Sequence, residues 1–137
     1  MQAFFGTGTI VLALVVSSMA ADEGAGPETV AKRFYRLANS GKCADAKALF
    51  TSEAISVVDH TLGQDGFAQF CSGKAGRAPL TSLEVQAEQE GAGRATVSIM
   101  RKYGNGDLEM ESDTLVRTGS SWKITLGESQ VAKATSR

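Results

Sequence analysis

The sequence predicts an α+β domain in which helices pack on one side of an antiparallel sheet. Two patterns lead to this prediction. Before Pro79 apolar residues recur at helical spacing, whereas after it they alternate with polar residues in runs separated by turn signals. Helices followed by a meander with one apolar face are typical of this class. The length of 137 residues suits a single domain.

Three helices and one short strand are predicted in the first part of the chain. The first helix begins at Pro27, because proline suits a first helical position, and an Asn-Ser-Gly turn ends it. Residues 43–50 predict a second helix and residues 64–72 a third. Between these helices, residues 54–59 (AISVVD) predict a short strand.

Four strands joined by tight turns are predicted after Pro79. The turn YGNGD is a strong hairpin signal, because Asn-Gly accepts positive φ at both central positions. The third strand carries an acidic stripe that we expect on the solvated outer face. A docking surface for a basic partner and a weak calcium site are the alternatives for this stripe. It consists of Glu109, Glu111 and Asp113.

The first twenty residues predict a secretory signal peptide. An apolar run is followed by small residues at Ser18 and Ala20, which fit a cut before Ala21. The alternative is an uncleaved anchor, which would tie the protein to a membrane. We therefore expect a secreted or periplasmic protein with a signal peptide at 1–20. A disordered linker at 21–26, a domain at 27–128 and a tail at 129–137 would follow.

Charge and cysteine content narrow the range of possible functions. The 14 basic and 15 acidic residues nearly balance, which argues against nucleic acid as a partner. Cys43 and Cys71 predict a disulfide, because two cysteines in an exported domain more often form a bridge than a site. No strong signature of a catalytic or metal site is present, and we expect no cofactor.

Two stretches resemble the nuclear transport factor 2-like superfamily, which shares a cystatin-like cone. VAKRFYRLANSGKCADAKALFTSEA is similar to the opening helix, turn and second helix of that superfamily, and DTLVRTGSSWKITLG is similar to its closing strands. The chain resembles most the small exported bacterial members of unknown function, sometimes described as lumazine-binding-like. The resemblance implies a curved sheet that wraps a long helix, with helices in its concave face and a pocket at its wide end. The matching residues of the opening are Asn39, Gly41, Leu49, Phe50, Glu53 and Ala54.

Isomerases of that superfamily pair a tyrosine on the first helix with an aspartate after the second, which act as oxyanion donor and base. In an ungapped alignment these positions fall on Phe34 and Val58, neither of which can supply the chemistry. Tyr35 is one residue away, and one helical step turns a side chain by about 100°. We therefore expect Tyr35 to leave the pocket. Asp59 is also one residue away, and a strand bulge could return it to the pocket.

These arguments favour an exported, non-catalytic domain that binds a small apolar or mixed ligand. A homodimer or a protein partner on the outer sheet face is a further possibility. The alternative is an isomerase- or dehydratase-like enzyme that uses Asp59, His60 and Tyr35, although we expect His60 at the rim of the cone or outside it. The predicted pocket residues are Phe34, Val58, Arg101, Tyr103 and Trp122.

Overall fold

The computed structural model describes residues 25–127 and Val131. The predicted signal peptide, most of the predicted linker and the tail other than Val131 lie outside the described residues. The helices are α1 (Pro27–Asn39), α2 (Cys43–Ala46), α3 (Ser52–Leu62) and α4 (Gly66–Ser72), with a 3-10 turn at Lys47–Leu49. The strands are β1 (Leu80–Gly91), β2 (Arg94–Tyr103), β3 (Leu108–Thr118) and β4 (Ser121–Thr125).

The strands form one curved antiparallel sheet in the order β1-β2-β3-β4. Each strand pairs with the next one along the chain, as the hairpin turns predict. Helix α1 lies against the sheet and contacts β1, β2 and β4. The predicted α+β class, with helices packed in the concave face of the sheet, is confirmed.

Packing among the helices is centred on four phenylalanine side chains. The ring centroid of Phe34 on α1 lies 4.9 Å from that of Phe50 in an edge-to-face contact, and Phe50 meets Phe67 at 5.0 Å. Such geometry is the favoured one for aromatic pairs. We call Phe34, Phe50, Phe67 and Phe70 the aromatic cluster.

Residues 54–59 belong to helix α3, so the predicted strand is wrong. Thr51 caps this helix, and its hydroxyl accepts a hydrogen bond from the N–H of Ala54 at 3.0 Å. Ala54 and Val58, four residues apart, are its buried residues. The β-branched residues suggested a strand, but the threonine cap and this spacing determine a helix.

Two further boundaries differ from the predicted ones. Helix α4 begins at Gly66 instead of residue 64, because Gly63 and Asp65 hold a turn with positive φ values of 83° and 60°. Val131, in the predicted frayed tail, is buried in the core, and its N–H donates to the carbonyl of Gly127.

Cys43 on α2 and Cys71 on α4 form the predicted disulfide, with their Cα atoms 5.8 Å apart. The bridge joins two short helices that flank the aromatic cluster. Across residues 25–127 and Val131, no helix combines the length and the apolar character needed to cross a bilayer.

Candidate functional site

The acidic stripe of β3 faces the helices and not the solvent. Val97 pairs with Asp113 and Ile99 with Glu111, and directly opposed residues of antiparallel strands share a face. Since Val97 and Ile99 are fully buried, their acidic partners lie on the inner face as well. The outer-face prediction for Glu109, Glu111 and Asp113 is therefore wrong.

The apolar residues at the start of β3 are the ones that face outwards. Leu108 is 62% exposed and Met110 is 58% exposed. Leu115, which is fully buried, shares the inner face with the acidic stripe. Apolar residues thus occur on both faces of this strand, and its pairing with β2 decides which face is covered.

Tyr35 and Asp113 form a buried hydrogen-bonded pair. The Tyr35 hydroxyl donates to Asp113 Oδ2 at 2.6 Å, and the two residues are 1% and 6% exposed. Burial raises the pKa of Tyr35 well above its usual value, so the phenol keeps its proton. Burial also raises the pKa of Asp113 to about 6, although the hydrogen bond from Tyr35 opposes that rise.

Tyr35, which we expected to leave the pocket, is buried. The side chains of Phe34 and Tyr35 do diverge, as one helical step requires. Both side chains are nevertheless buried, because α1 lies between the other helices and the sheet. Phe34 enters the aromatic cluster and Tyr35 reaches β3.

Arg101 on β2 is the largest fully buried side chain in the described part of the chain. Its Nη2 donates to Glu109 Oε2 at 2.9 Å and to Glu111 Oε1 at 2.8 Å. Its guanidinium carbon lies 4.5 Å from the centroid of the Tyr35 ring, a cation–π contact. Paired and hydrogen-bonded in this way, a charge can stay buried without neutralising.

The residues Gly73 to Pro79, here called segment 73–79, cover this group of side chains. The carbonyl of Lys74 accepts from Arg101 Nη1 at 2.8 Å, and Lys74 Nζ contacts Glu111 Oε2. Asn39 at the end of α1 holds the segment, because its Oδ1 accepts from the N–H of Gly76 at 2.7 Å. Any side chain at position 76 would overlap the ring of Tyr103, so this close approach requires glycine.

Six side chains thus form one buried or partly buried network, which we call the polar cluster. Its two cations face three carboxylates, which leaves one negative charge in excess when all of them are ionised. Burial, the largest cause, and the charge of Glu111 raise the pKa of Asp113, whereas Tyr35, Lys74 and Arg101 oppose the rise. The members are Tyr35, Lys74, Arg101, Glu109, Glu111 and Asp113.

The carboxylates of this cluster are not arranged as a metal site. Within the described residues, no group of three or more histidine, cysteine, aspartate or glutamate residues could hold a metal ion. Glu109 and Glu111 bind Arg101, and Asp113 binds Tyr35. The described residues therefore lend no support to the calcium alternative for the acidic stripe.

Two of the open grooves outside the polar cluster border the helices. The larger, of about 660 Å³, runs between the end of α1, segment 73–79 and the start of β1. The second, of about 490 Å³, lies between α2, the end of α3 and the start of α4. The lining of the larger groove is mixed, with Arg36, Asn39, Arg77, Pro79, Leu80, Ser82 and Leu83 among its residues.

The structure separates the residues that the sequence grouped into one site. Phe34, Val58 and Trp122 are buried in the core, whereas Arg101 and Tyr103 lie beneath segment 73–79. None of these five residues lines either groove. Trp122 stacks with Arg117, whose guanidinium carbon is 4.9 Å from the Trp122 ring.

The alternative catalytic residues are also apart. Asp59 and His60 are exposed on α3, and Asp59 lines the second groove with Lys47 and Asp65. Tyr35 lies in the polar cluster, which includes neither of them. His60 is thus outside the cone interior.

Sequence analysis missed the polar cluster as a unit. One feature of the sequence could have indicated it. Leu115 is an even number of residues from each of the three acidic residues, so all four side chains lie on the same face of β3, and Leu115 opposes the buried Ala95. The contact between Lys74 and the cluster could not be predicted from local sequence, because it depends on how segment 73–79 folds back over β3.

A solved structure from Campylobacter jejuni, which carries the provisional name NTF2-like transpeptidase, is similar to this chain with a TM-score of 0.64. The two sequences are 18% identical, and the similarity covers 75% of this chain and 100% of that one. No protein-family model and no curated protein sequence matches this chain. The protein therefore has the nuclear transport factor 2-like fold, as the resemblance implied.

Proposed function

We propose that this protein is a non-catalytic binding domain whose larger groove accepts a small ligand of mixed polarity that carries an anionic group. The observation that carries this proposal is the pair Arg36 and Arg77. Both are exposed, both line the groove, and within residues 25–127 neither forms an ion pair. Two unneutralised guanidinium groups suit a carboxylate, sulfonate or phosphate, while Pro79, Leu80 and Leu83 suit an apolar body.

The state of the polar cluster supports a binding role over a catalytic one. A general acid or base must reach the proton that it moves. Asp113 is instead bonded to Tyr35, and segment 73–79 covers Arg101 and Glu111. The acidic groups of this interior are therefore bound by Tyr35, Lys74 and Arg101 and do not face an open pocket.

The anionic probe 8-anilinonaphthalene-1-sulfonate, an aromatic sulfonate, tests the groove. We expect the R36Q/R77Q variant to bind it at least about tenfold more weakly than the unaltered protein, because a hydrogen bond to a charged group contributes at least about 1.5 kcal/mol. R94Q is the matched control, since Arg94 is an exposed arginine outside this groove. Equal affinities in all three proteins would contradict the proposal.

The natural ligand is best sought by native mass spectrometry of protein taken from its own compartment. We propose a secreted or periplasmic location on the basis of the predicted signal peptide, and the disulfide is compatible with it. The occupant of the groove would be a bound molecule whose mass is detected with the unaltered protein and with R94Q but not with R36Q/R77Q.

A second candidate function is acid–base catalysis in the manner of an isomerase or dehydratase. The observation in its favour is the Tyr35–Asp113 pair, since a carboxyl group with a pKa of about 6 is well placed to exchange a proton near neutral pH. This candidate requires segment 73–79 to open. It predicts that D113N abolishes turnover of an enolisable ketone, whereas a D59N/H60Q variant retains it.

The provisional name of the Campylobacter protein raises transpeptidation as a further possibility. A cysteine nucleophile would have to be a free thiolate. Both cysteines of this chain are joined in the disulfide, so they supply no such group. We therefore do not propose thiol-dependent transpeptidation for this protein.

A further inference from the structure

We propose that the space now filled by the side chain of Lys74 is a binding site for a primary ammonium group presented by a ligand, and that Lys74 is its internal occupant. The proposal goes beyond the anionic groove, because it concerns the inner side of segment 73–79 and a ligand of the opposite charge. It rests on the contacts of Lys74, the charge of the sheet face beneath it and one unpaired donor.

Lys74 Nζ is held by two groups of different chemistry. It contacts the carboxylate of Glu111 on β3, and it lies 5.3 Å from the centroid of the Phe70 ring on α4. A carboxylate and an aromatic face together are the usual means by which proteins recognise ammonium ions. The Lys74 side chain is only 10% exposed, so its ammonium group is largely withdrawn from water.

The inner face of β2 and β3 would carry a net negative charge, and would therefore attract a cation, if Lys74 were removed. Of the charged members of the polar cluster, four are on β2 and β3, namely Arg101 against Glu109, Glu111 and Asp113. This face therefore carries one positive and three negative charges when all are ionised. Arg101 fixes both glutamates with bonds of 2.9 and 2.8 Å, so the carboxylates stay in place when Lys74 is removed.

A separate observation concerns a buried donor of Arg101. The Nε–H of Arg101, whose side chain is fully buried, makes no hydrogen bond of good geometry in the described part of the chain, and the Tyr103 hydroxyl lies near the same guanidinium group. Buried donors are normally paired, and an unpaired one is costly. An acceptor atom on the ligand, such as a carbonyl or hydroxyl oxygen, would satisfy this donor while the ammonium group binds Glu111.

Segment 73–79 supplies the occupant through a small number of polar contacts. Asn39 holds Gly76 and also donates to the carbonyl of Ala78 at 3.4 Å, while the carbonyl of Pro79 accepts from Gly104 at 2.9 Å. Few apolar side chains fix the segment, which reads GKAGRAP. A ligand must displace Lys74, so its apparent affinity in the unaltered protein equals the intrinsic affinity multiplied by the fraction of molecules that are open.

The K74A variant with n-propylammonium chloride tests the site, because this cation replaces the atoms that the substitution removes. We expect it to raise the Tm of K74A by about 3–5 °C near saturation and that of the unaltered protein by much less. Sodium chloride at equal ionic strength and neutral 1-propanol should not reproduce the rise. An equal rise with either of them would overturn the proposal.

Two further variants locate the effect. K102A removes a partly exposed lysine that pairs with Glu84 on the outer face, and it should show no response specific to the amine. K74A/E111Q should lose the response, because the carboxylate that binds the ammonium group is gone. A response that persists in K74A/E111Q would place the amine elsewhere and would refute the assignment.

If K74A does not fold by itself, refolding gives the same decision. We then expect n-propylammonium to restore the folded state, as judged by near-ultraviolet circular dichroism, whereas sodium chloride and 1-propanol do not. Absence of recovery with the amine would count against the site. The outcome is independent of Arg36 and Arg77, so a failure here is distinguishable from a failure of the anionic groove.

Discussion

The aromatic cluster and the polar cluster share helix α1, yet they are held together by different forces. Phe34 and its neighbour Tyr35 project from adjacent positions of this helix into the two clusters. The aromatic cluster is stabilised by burial and shape, which do not depend on pH. The polar cluster is stabilised by directed bonds between charged groups, which do.

This difference separates the scaffold from the candidate sites. The disulfide joins α2 and α4 beside the aromatic cluster, and α4 contributes both Phe67 and Phe70 to it. Segment 73–79, the larger groove and the proposed ammonium site adjoin the polar cluster instead. Substitutions in the aromatic cluster should therefore test folding, and those in the polar cluster should test pH dependence and binding.

The largest expected effect is the loss of packing in the aromatic cluster. We expect F50A to lower the free energy of unfolding by about 3–5 kcal/mol, because it removes a buried ring that contacts Phe34, Phe67 and Phe70. Urea unfolding measures this change. M110A on the exposed outer face should change stability by less than about 0.5 kcal/mol, and a similar cost for both variants would contradict the division into clusters.

The disulfide should make the next largest contribution. Its cysteines are 28 positions apart, and the chain-entropy model gives about 3–4 kcal/mol for a loop of this size. We expect the C43A/C71A variant to lose about this much stability at all pH values between 4 and 8. Thiol labelling of the denatured, unreduced protein should detect no free cysteine, and two labelled thiols would disprove the bridge.

The parts of this structure that follow local patterns could be predicted from the sequence. The prediction of helix α1 depends on Pro27 and on apolar spacing, that of the β2–β3 hairpin on its Asn-Gly turn, and that of the disulfide on two cysteines in a domain that the sequence predicts to be exported. Each of these signals lies within a few residues or in the composition. The α+β class follows from their order along the chain.

The polar cluster could not be predicted, because it depends on pairing between distant residues. The acidic residues of β3 are inside only because Val97 and Ile99 oppose two of them. A one-residue shift in register would have placed them in solvent. The prediction of a strand at residues 54–59 was wrong for a local reason. We gave more weight to the β-branched residues of this stretch than to the helix cap at Thr51.

The pH dependence of the polar cluster gives the third prediction. Burial, the largest cause, raises the pKa of Asp113 from 3.8 to about 6, while Tyr35, Lys74 and Arg101 oppose the rise and Glu111 adds to it. The folded protein therefore binds more protons than the unfolded chain between about pH 4 and 6. Stability falls as the pH rises through this window, by about 3 kcal/mol in total.

The D113N variant isolates this contribution, because asparagine does not titrate and its oxygen can still accept from Tyr35. We expect the stability of D113N relative to the unaltered protein to increase by about 3 kcal/mol between pH 3.5 and pH 7.5. Urea unfolding across this range measures the difference. D59N, at an exposed aspartate outside the cluster, is the control and should show no such trend. Parallel profiles for D113N and the unaltered protein would show that Asp113 titrates normally.

The smallest of these effects is also the one that probes the boundary between the clusters. Y35F keeps the ring that contacts Phe34 and Arg101 but removes the hydroxyl that donates to Asp113. We expect a loss of about 1–3 kcal/mol at pH 7.5, because the substitution leaves a buried carboxylate without this donor. At pH 4.5 the loss should be smaller, since Asp113 is then protonated in the folded protein and only a bond between neutral groups is lost.

A double-mutant cycle with D113N separates the pair from its surroundings, and the coupling energy should be greater at pH 7.5 than at pH 4.5. Equal losses at the two pH values would contradict this account, because the hydroxyl would then contribute the same whether or not Asp113 is ionised. No loss at either pH would mean that Tyr35 acts through its ring alone, as Phe34 does.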